Sequence, residues 1–433
     1  MNTIKYTITL MLFAFCLAVT AQPNIYPAGK QTESIKIDGA TLHIGNGEVL
    51  ENAVVVFDQG KITYVGSKAD APSADKNIDA TGKHVYPGFI APNTNLGLVE
   101  FAAVKATVDF AETGENNAHI RSIVAYNTDS KVINTLRSNG ILLAQITPQR
   151  GMISGQSSVV HLDAWNWEDA VVKMDEGLHI QWPELPRRIR SKEAKKRFEK
   201  RSKEQIDKLF EFFLEAKAYT EIDKNEKIFN ARLEAATGIF NQEKQVFVHV
   251  NSAKEIQKSV LKFTEIGIRP IVVGGANAHW VTDILKQYNI PVILNHTHSL
   301  PEQEHDDILG PYRQAKKLYD EKILFAYSVV GSDAFWNQRN LPFMAGTAVA
   351  HGLPYEQGVA SISYNVAKIL GIDKKTGSIE VGKSADLFIS TGDALDMRGN
   401  KLEQAFIQGR SIKLDNWHEQ LHQRYKDKYE ANK

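Results

Sequence analysis

The chain has 433 residues, 43% hydrophobic and 24% charged, which is enough for a large core with an accessory unit, and it has no low-complexity stretch. Lysine plus arginine and aspartate plus glutamate number 51 each, so no net field favours a nucleic acid or an anionic membrane. A small neutral molecule is the expected partner.

Residues 1–21 carry Lys5, an apolar run from Ile8 to Val19, and small residues at Ala18, Thr20 and Ala21. This predicts a secretory signal cut after Ala21, too short for a spanning helix. The one cysteine, Cys16, lies inside it, and Phe15 directly before it argues against a lipoprotein site. The mature chain therefore has no thiol for a disulfide or a thiolate ligand. A bacterial periplasmic or secreted location, with no membrane attachment after signal removal, is the expectation.

From residue 34 to 86 the sequence alternates in short units punctuated by Gly39, Gly45, Gly47, Gly60 and Gly66, which predicts a small antiparallel sheet. Residues 379–413 repeat the style and are expected to complete the same sheet from the other end of the chain, as a composite β-sandwich. Between them, over 87–378, the runs at Ile141–Pro148, Val246–Val250, Pro270–Gly275, Pro291–Asn295 and Ile323–Val329 are short, apolar and bounded by turn residues. Helical spacing fills the intervals, for example after Ser252 and after Ala278. Such alternation predicts parallel βα units, and the length suits an α/β barrel of the eightfold (β/α)8, TIM type. Residues 184–219 open strongly basic and then place Ile206, Leu209, Phe210 and Phe213 on one helical stripe. That reads as a solvated helix packing its stripe on the barrel, with an anion-binding or docking helix as the alternative. Residues 414–433 predict a polar helical tail.

Two phrases resemble the amidohydrolase superfamily, in its secreted, imidazolonepropionase-like branch: Lys83–Leu98, with Pro87-Gly88-Phe89-Ile90, and Gly377–Ile389. The resemblance implies the barrel with its small composite sheet, hydrolysis of a carbon–nitrogen bond, and a divalent metal at the C-terminal ends of the strands. In that family the first strand leads into a His-x-His pair, where this chain has Asn93 and Asn95. Carboxamides are weak, hard donors that cannot replace two imidazoles for zinc. The sixth-strand histidine is also replaced, by Gly274, with His279 displaced into the following helix.

Four residues remain as tentative metal ligands: His249 closing the fifth strand and Asp333 after the eighth, on this resemblance, and His296 and His298 after the seventh, whose spacing on an extended strand would turn both imidazoles the same way. Asp333 also matches the family's general base, which orients the attacking water and passes its proton to the leaving nitrogen. Each has a plainer reading: His249 as a strand-end hydrogen-bonding group, His296 and His298 as surface histidines, and Asp333 as a helix cap. The fourth-strand ligand is not placed, with Lys173, Glu168 and Glu184 as candidates. Gly151–Ser158 reads as a shaped loop at the barrel mouth rather than a phosphate cradle, since no lysine stands in the P-loop position.

Two functional readings follow. One is an enzyme with a reduced centre of one zinc or other divalent ion, hydrolysing a cyclic amide or dipeptide-like bond. The other is a catalytically inactive, metal-free barrel that binds a ligand or pairs with an active relative, as a homo-oligomer or a mixed assembly. A polysaccharide-binding or purely structural secreted protein is a third, weaker reading.

Overall fold

The computed structural model describes residues 26–185, 191–223, 225–295, 297–300, 307–329 and 334–431. The predicted signal, His296 and Asp333 lie outside these residues. In chain order the strands are β1 (Ile35–His43), β2 (Val49–Asp58), β3 (Lys61–Gly66), β4 (Lys76–Asp79), β5 (His84–Pro87), β6 (Phe89–Thr94), β7 (Ile141–Ile146) and β8 (Ile153–His161). They continue with β9 (Val171–Gln181), β10 (Gln245–Val250), β11 (Pro270–Gly274), β12 (Val292–Asn295), β13 (Phe325–Ser328), β14 (Leu387–Ser390), β15 (Leu402–Ile407) and β16 (Arg410–Ile412).

One sheet runs in the order β16-β15-β14-β5-β1-β2-β3, with β4 also on β1. The two ends of the chain meet where β5 lies antiparallel to β14, with Leu387 opposite Pro87 and Ser390 opposite His84. Alternate residues of β1 turn inward, and Ile35, Ile37 and Leu42 join Phe57, Ile62, Leu387 and Phe406 in a core of their own.

The second sheet runs β13-β12-β11-β10-β9-β8-β7-β6. Ser328 Oγ, at the end of β13, donates to the Pro92 carbonyl of β6 at 2.8 Å, which brings the two edges together in a nearly closed, barrel-like sheet. Most of its parallel strands are apolar runs because they are covered on both faces, whereas β8 and β9 carry polar inward residues. The pattern departs from a strict βα repeat at one place. β8 is antiparallel to both β7 and β9, while the other neighbouring pairs are parallel. The segment expected as a mouth loop at Gly151–Ser158 is therefore mostly strand. A loop over residues 147–152 returns the chain from β7 into β8, and Gly155, at φ +129°, marks a register shift where a Cβ would lie 2.7 Å from the Ile120 carbonyl.

The basic segment forms the helix Lys192–Glu221, capped by Ser191. Ile206, Leu209, Phe210 and Phe213 are buried, and Phe210 and Phe213 meet Phe263 at 5.0 and 5.3 Å between ring centroids. The packing reading of that helix therefore holds. The tail forms the helix Trp417–Glu430, which buries no residue. Among the described residues, no helix is long and apolar enough to cross a membrane.

Two contacts lock the small sheet to the larger one. Phe388 of β14 is fully buried, stacked on Tyr86 at 5.4 Å and edge-on to Phe89 at 5.0 Å. Asp163, just beyond β8, receives Arg137 at 2.5 Å and Arg410 of β16 at 2.9 Å. Truncating Phe388→Ala should lower the unfolding free energy by about 3–5 kcal/mol, because the cavity would lie between two layers that cannot collapse independently. Urea denaturation followed by fluorescence checks this, and a loss below about 1 kcal/mol would mean that the ring does not hold the layers together.

Candidate functional site

The parallel strands end together on one face, at Thr94, Ile146, Gln181, Val250, Gly274, Asn295 and Ser328. Their inward side chains are expected to build any site there. What the structure places in this interior is a connected set of hydrogen bonds among buried polar groups.

Asn93, at φ +52°, is in the left-handed region, which asparagine tolerates better than most residues, and the pairing of β6 with β7 slips there. Its backbone N–H donates to Gln145 Oε1 at 2.8 Å. That bond orients the amide, so Gln145 Nε2 donates in turn to Glu176 Oε1 at 2.6 Å. Ser157 Oγ donates to the same carboxylate oxygen at 2.8 Å. His179 Nε2 lies 2.8 Å from Ser157 Oγ, and His179 Nδ1 lies 2.9 Å from His249 Nε2. Gln145, Ser157, Glu176 and His179 are all essentially sealed from solvent.

The strand geometry explains the grouping. Parallel pairing sets His179 beside Phe247 and Gln181 beside His249, so the two imidazoles share the inner face of adjacent strands. The Phe247 ring stacks on His179 at 4.6 Å. Asp175, at φ +49°, kinks β9 and lets Glu176 turn inward ahead of the regular alternation. With Glu176 ionised, proton bookkeeping fixes the rest. Ser157 gives its proton to the carboxylate, so His179 carries its proton on Nε2 and accepts at Nδ1 from His249 Nε2–H. His249 Nδ1 is then the lone-pair end of the chain.

Burial shifts these groups. Desolvation pushes the Glu176 carboxyl up to about 7, against the opposing help of Gln145 and Ser157, and Glu176 Oε2 has no hydrogen-bond partner. Desolvation likewise holds His249 down at about 4 and His179 well below the ordinary imidazole range, His179 also feeling the charge of His249. Both rings are neutral at physiological pH.

The other expected site residues fall as follows. Gly274, at φ +103°, has Asn251 Oδ1 only 2.6 Å from where a Cβ would be, so no larger side chain fits without rearrangement. Asn95 is fully buried beside the head of β6. Glu184 accepts the backbone N–H groups of Asn251 and Ser252 at 3.0 and 2.7 Å, tying the end of β9 to that of β10. His298 Nε2 lies 2.7 Å from Thr347 Oγ1, and its ring meets Tyr312 edge-on at 6.3 Å, so its partners belong to the helices outside the sheet. Lys173 donates to the Leu370 carbonyl, and Glu168 lies in the first turn of the short helix before β9, Trp167–Ala170. His279 lies in a helical turn at Ala278–Trp280. Glu176 and His179 were not anticipated. A signal was present in the alternation of Leu178, His179 and Ile180, but Asp175-Glu176-Gly177 reads as a strand breaker.

Among the described residues no group of three His, Cys, Asp or Glu side chains could hold a metal ion. The two imidazoles that stand together are hydrogen-bonded to each other, so the described donors do not fit a metal centre by themselves.

Residues 278–412, from just beyond β11 to β16, match the amidohydrolase family model. This is an amidohydrolase-like chain. It is 24% identical over 398 residues to the imidazolonepropionase of Fusobacterium nucleatum, covering 84% of this chain and 91% of that one. The match to the imidazolonepropionase of Mycolicibacterium smegmatis is 38% identical over 63 residues, and it spans only 16% of that relative's length and 14% of this chain. In the match to the Paenarthrobacter aurescens protein the figure is 12% of the relative. Among solved structures, an amidohydrolase from Thermotoga maritima aligns over 88% of this chain and 99% of its own, with a TM-score of 0.75 at 24% identity. A molinate hydrolase aligns with a TM-score of 0.53 at 13% identity, covering 89% of this chain and 95% of its own. At these identities the structures speak for the amidohydrolase fold.

The buried carboxylate yields a signed pH test. Its folded pKa lies above the ordinary 4.5, so the folded state binds the proton more tightly and loses stability as pH rises from about 4.5 through about 7. The full cost above that window is about 3 kcal/mol. The imidazoles act in the opposite direction, since their lowered values cost stability as pH falls below 6.5. Comparing the wild type with Glu176→Gln isolates the carboxylate: the variant should gain on the wild type by up to about 3 kcal/mol between pH 4.5 and 7, then hold level. A difference independent of pH, in chemical denaturation at several pH values, would show that Glu176 does not titrate in this window.

Proposed function

We propose that this chain takes a small molecule with a carbonyl–nitrogen bond, a cyclic amide or dipeptide-like compound, at the strand-end face of its barrel, and that its centre holds one divalent ion at most. The sheet is read here as a (β/α)8, TIM-type barrel with its third strand inverted. The supporting observation is the interior hydrogen-bond chain from Asn93 to His249, which ends in a neutral imidazole at the strand ends where relatives of this fold act.

A zinc ion there would need donors beyond the described pair, and His296 and Asp333 are the sequence candidates to provide them. The chain's own residues supply the following. His249, fixed by His179, offers Nδ1 as an acceptor for a ligand N–H or for the proton of an attacking water. Ser157 and Glu176 hold the tautomer that makes this so. The sealed interior behind His249 keeps bulk water from the chain.

A second reading is favoured by one specific observation. Gly274 has a positive φ with Asn251 Oδ1 close to where a Cβ would be, and Asn93 and Asn95 stand where the family has histidines, which suits a catalytically inactive, ligand-binding barrel or a partner of an active relative. The predicted signal supports a periplasmic or secreted location for either form.

Metal analysis of the purified mature protein beside a dipeptide and lactam hydrolysis panel separates the readings. The enzyme reading expects up to one ion per chain and turnover that falls about 10²–10⁴-fold in His249→Ala. No turnover under zinc or manganese supplementation, with panel compounds still binding, establishes the inactive form. Two ions per chain would overturn the reduced centre.

A further inference from the structure

At the opposite end of the barrel-like sheet, beneath the small sheet, lies a cleft of about 570 Å³. Its walls come from the segment before β1, the β2–β3 turn, the end of β8, the start of β9, the loop before β14 and the β15–β16 turn. It is within the size range of small-molecule sites. Three exposed lysines line it, Lys30, Lys61 and Lys375, and among the described residues no ion pair neutralises any of them.

The other charges around the cleft are already committed. Arg410 is held by Asp163. Asp386, at the buried end, takes His161 at 3.3 Å, Thr376 Oγ1 at 2.7 Å and the backbone N–H of Gln408 at 2.8 Å. Its acceptor capacity is spent within the protein rather than on the lysines. In a chain with as many acidic as basic residues, three ammonium groups around one cavity with no carboxylate partner among the described residues, Lys375 Nζ donating to the Val172 carbonyl at 3.1 Å, form a local excess of positive charge. Ser384 bridges Lys61 across the strand edge, and its hydroxyl is buried with no hydrogen-bond partner. A buried hydroxyl left unpaired costs free energy, and an acceptor in the cleft would satisfy it.

We infer that this cleft binds a small multivalent oxyanion, a phosphate ester or a polycarboxylate, held by Lys30, Lys61 and Lys375 with Ser384 donating to one oxygen. Because the walls belong to both sheets and both ends of the chain, the bound anion ties them together and raises the stability of the folded chain.

Isothermal titration and thermal unfolding of the full mature chain with pyrophosphate and with citrate, each against sodium chloride at matched ionic strength, test this. The expected result is saturable binding and a rise in Tm with one or both anions beyond that given by chloride. Pyrophosphate alone identifies the phosphate class, citrate alone the polycarboxylate class, and both together the shared oxyanion chemistry. Lys61→Glu with Lys375→Glu should weaken binding at least about tenfold, and Ser384→Ala by a smaller factor of about two to ten. The anion-free Tm of each variant shows that it has folded. A response no larger than that of chloride, or unchanged affinity in the folded double variant, overturns the site.

Discussion

A carboxylate with no cation in contact, sealed inside a barrel, must be solvated by protein dipoles or give up its charge, and Glu176 meets both demands at once. Two donors, Gln145 and Ser157, converge on one oxygen, and the other oxygen is left bare. The nearest cations are turned elsewhere, Lys173 to the Leu370 carbonyl and Lys244 to the Ala235 carbonyl. The carboxyl therefore sits near its midpoint at neutral pH, and its neighbours take their orientation from it. Ser157 points to it, His179 takes its tautomer from Ser157, and His249 from His179. On the other side the Gln145 amide is fixed between this acid and the backbone of Asn93. Five strands, β6 to β10, are thus held in register by one polar chain, in an interior that would otherwise offer only nonspecific apolar contact.

The same economy governs the join between the sheets. Asp163 sits at the end of the inverted strand β8, and its two guanidinium partners come from the helix after β6 and from β16 near the end of the chain. It also accepts the Ala28 backbone N–H from the start of the described chain. An inverted strand delivers its C-terminal end to the side of the barrel away from the site, so these contacts can knit the termini to the barrel without crowding the strand-end face. The anion cleft lies on this same side.

Much of the fold was legible because the parallel strands are covered on both faces and read as unbroken apolar runs. Ile141–Ile146, Gln245–Val250, Pro270–Gly274, Val292–Asn295 and Phe325–Ser328 stand where such runs predict them. The helix stripe at Ile206 to Phe213 was equally plain. β8 and β9 were not, because their inward faces are polar: Ser157 in one, Glu176 and His179 in the other. Serine, glutamate and glycine in sequence suggest a loop, and only the three-dimensional pairing shows that each meets a partner. His249 was recognised at its strand end, but its bond to His179 was invisible, since the partner lies 70 residues earlier. His298 looked like half of a metal-binding pair because extended spacing would align it with His296. In the structure the strand ends at Asn295, and the His298 ring turns to Thr347.

The backbone at the head of β6 and at the end of β11 is fixed by its neighbours, and the constraint is geometric. At the head of β6 the left-handed turn at Asn93 aims a backbone N–H at Gln145, so the inner space is occupied by an amide already committed to Glu176. At the end of β11, Gly274 has a positive φ and Asn251 Oδ1 lies 2.6 Å from where its Cβ would be, while the Asn251 N–H is taken by Glu184. A histidine restored at position 93 would meet a backbone and a neighbour arranged for something else. At position 274 it would need a different φ and the withdrawal of Asn251. A substitution at either position would disturb hydrogen bonds that come from adjacent strands. The polar chain through Glu176 fixes the rotamers of the inward side chains and makes the ends of β6 to β10 one connected unit.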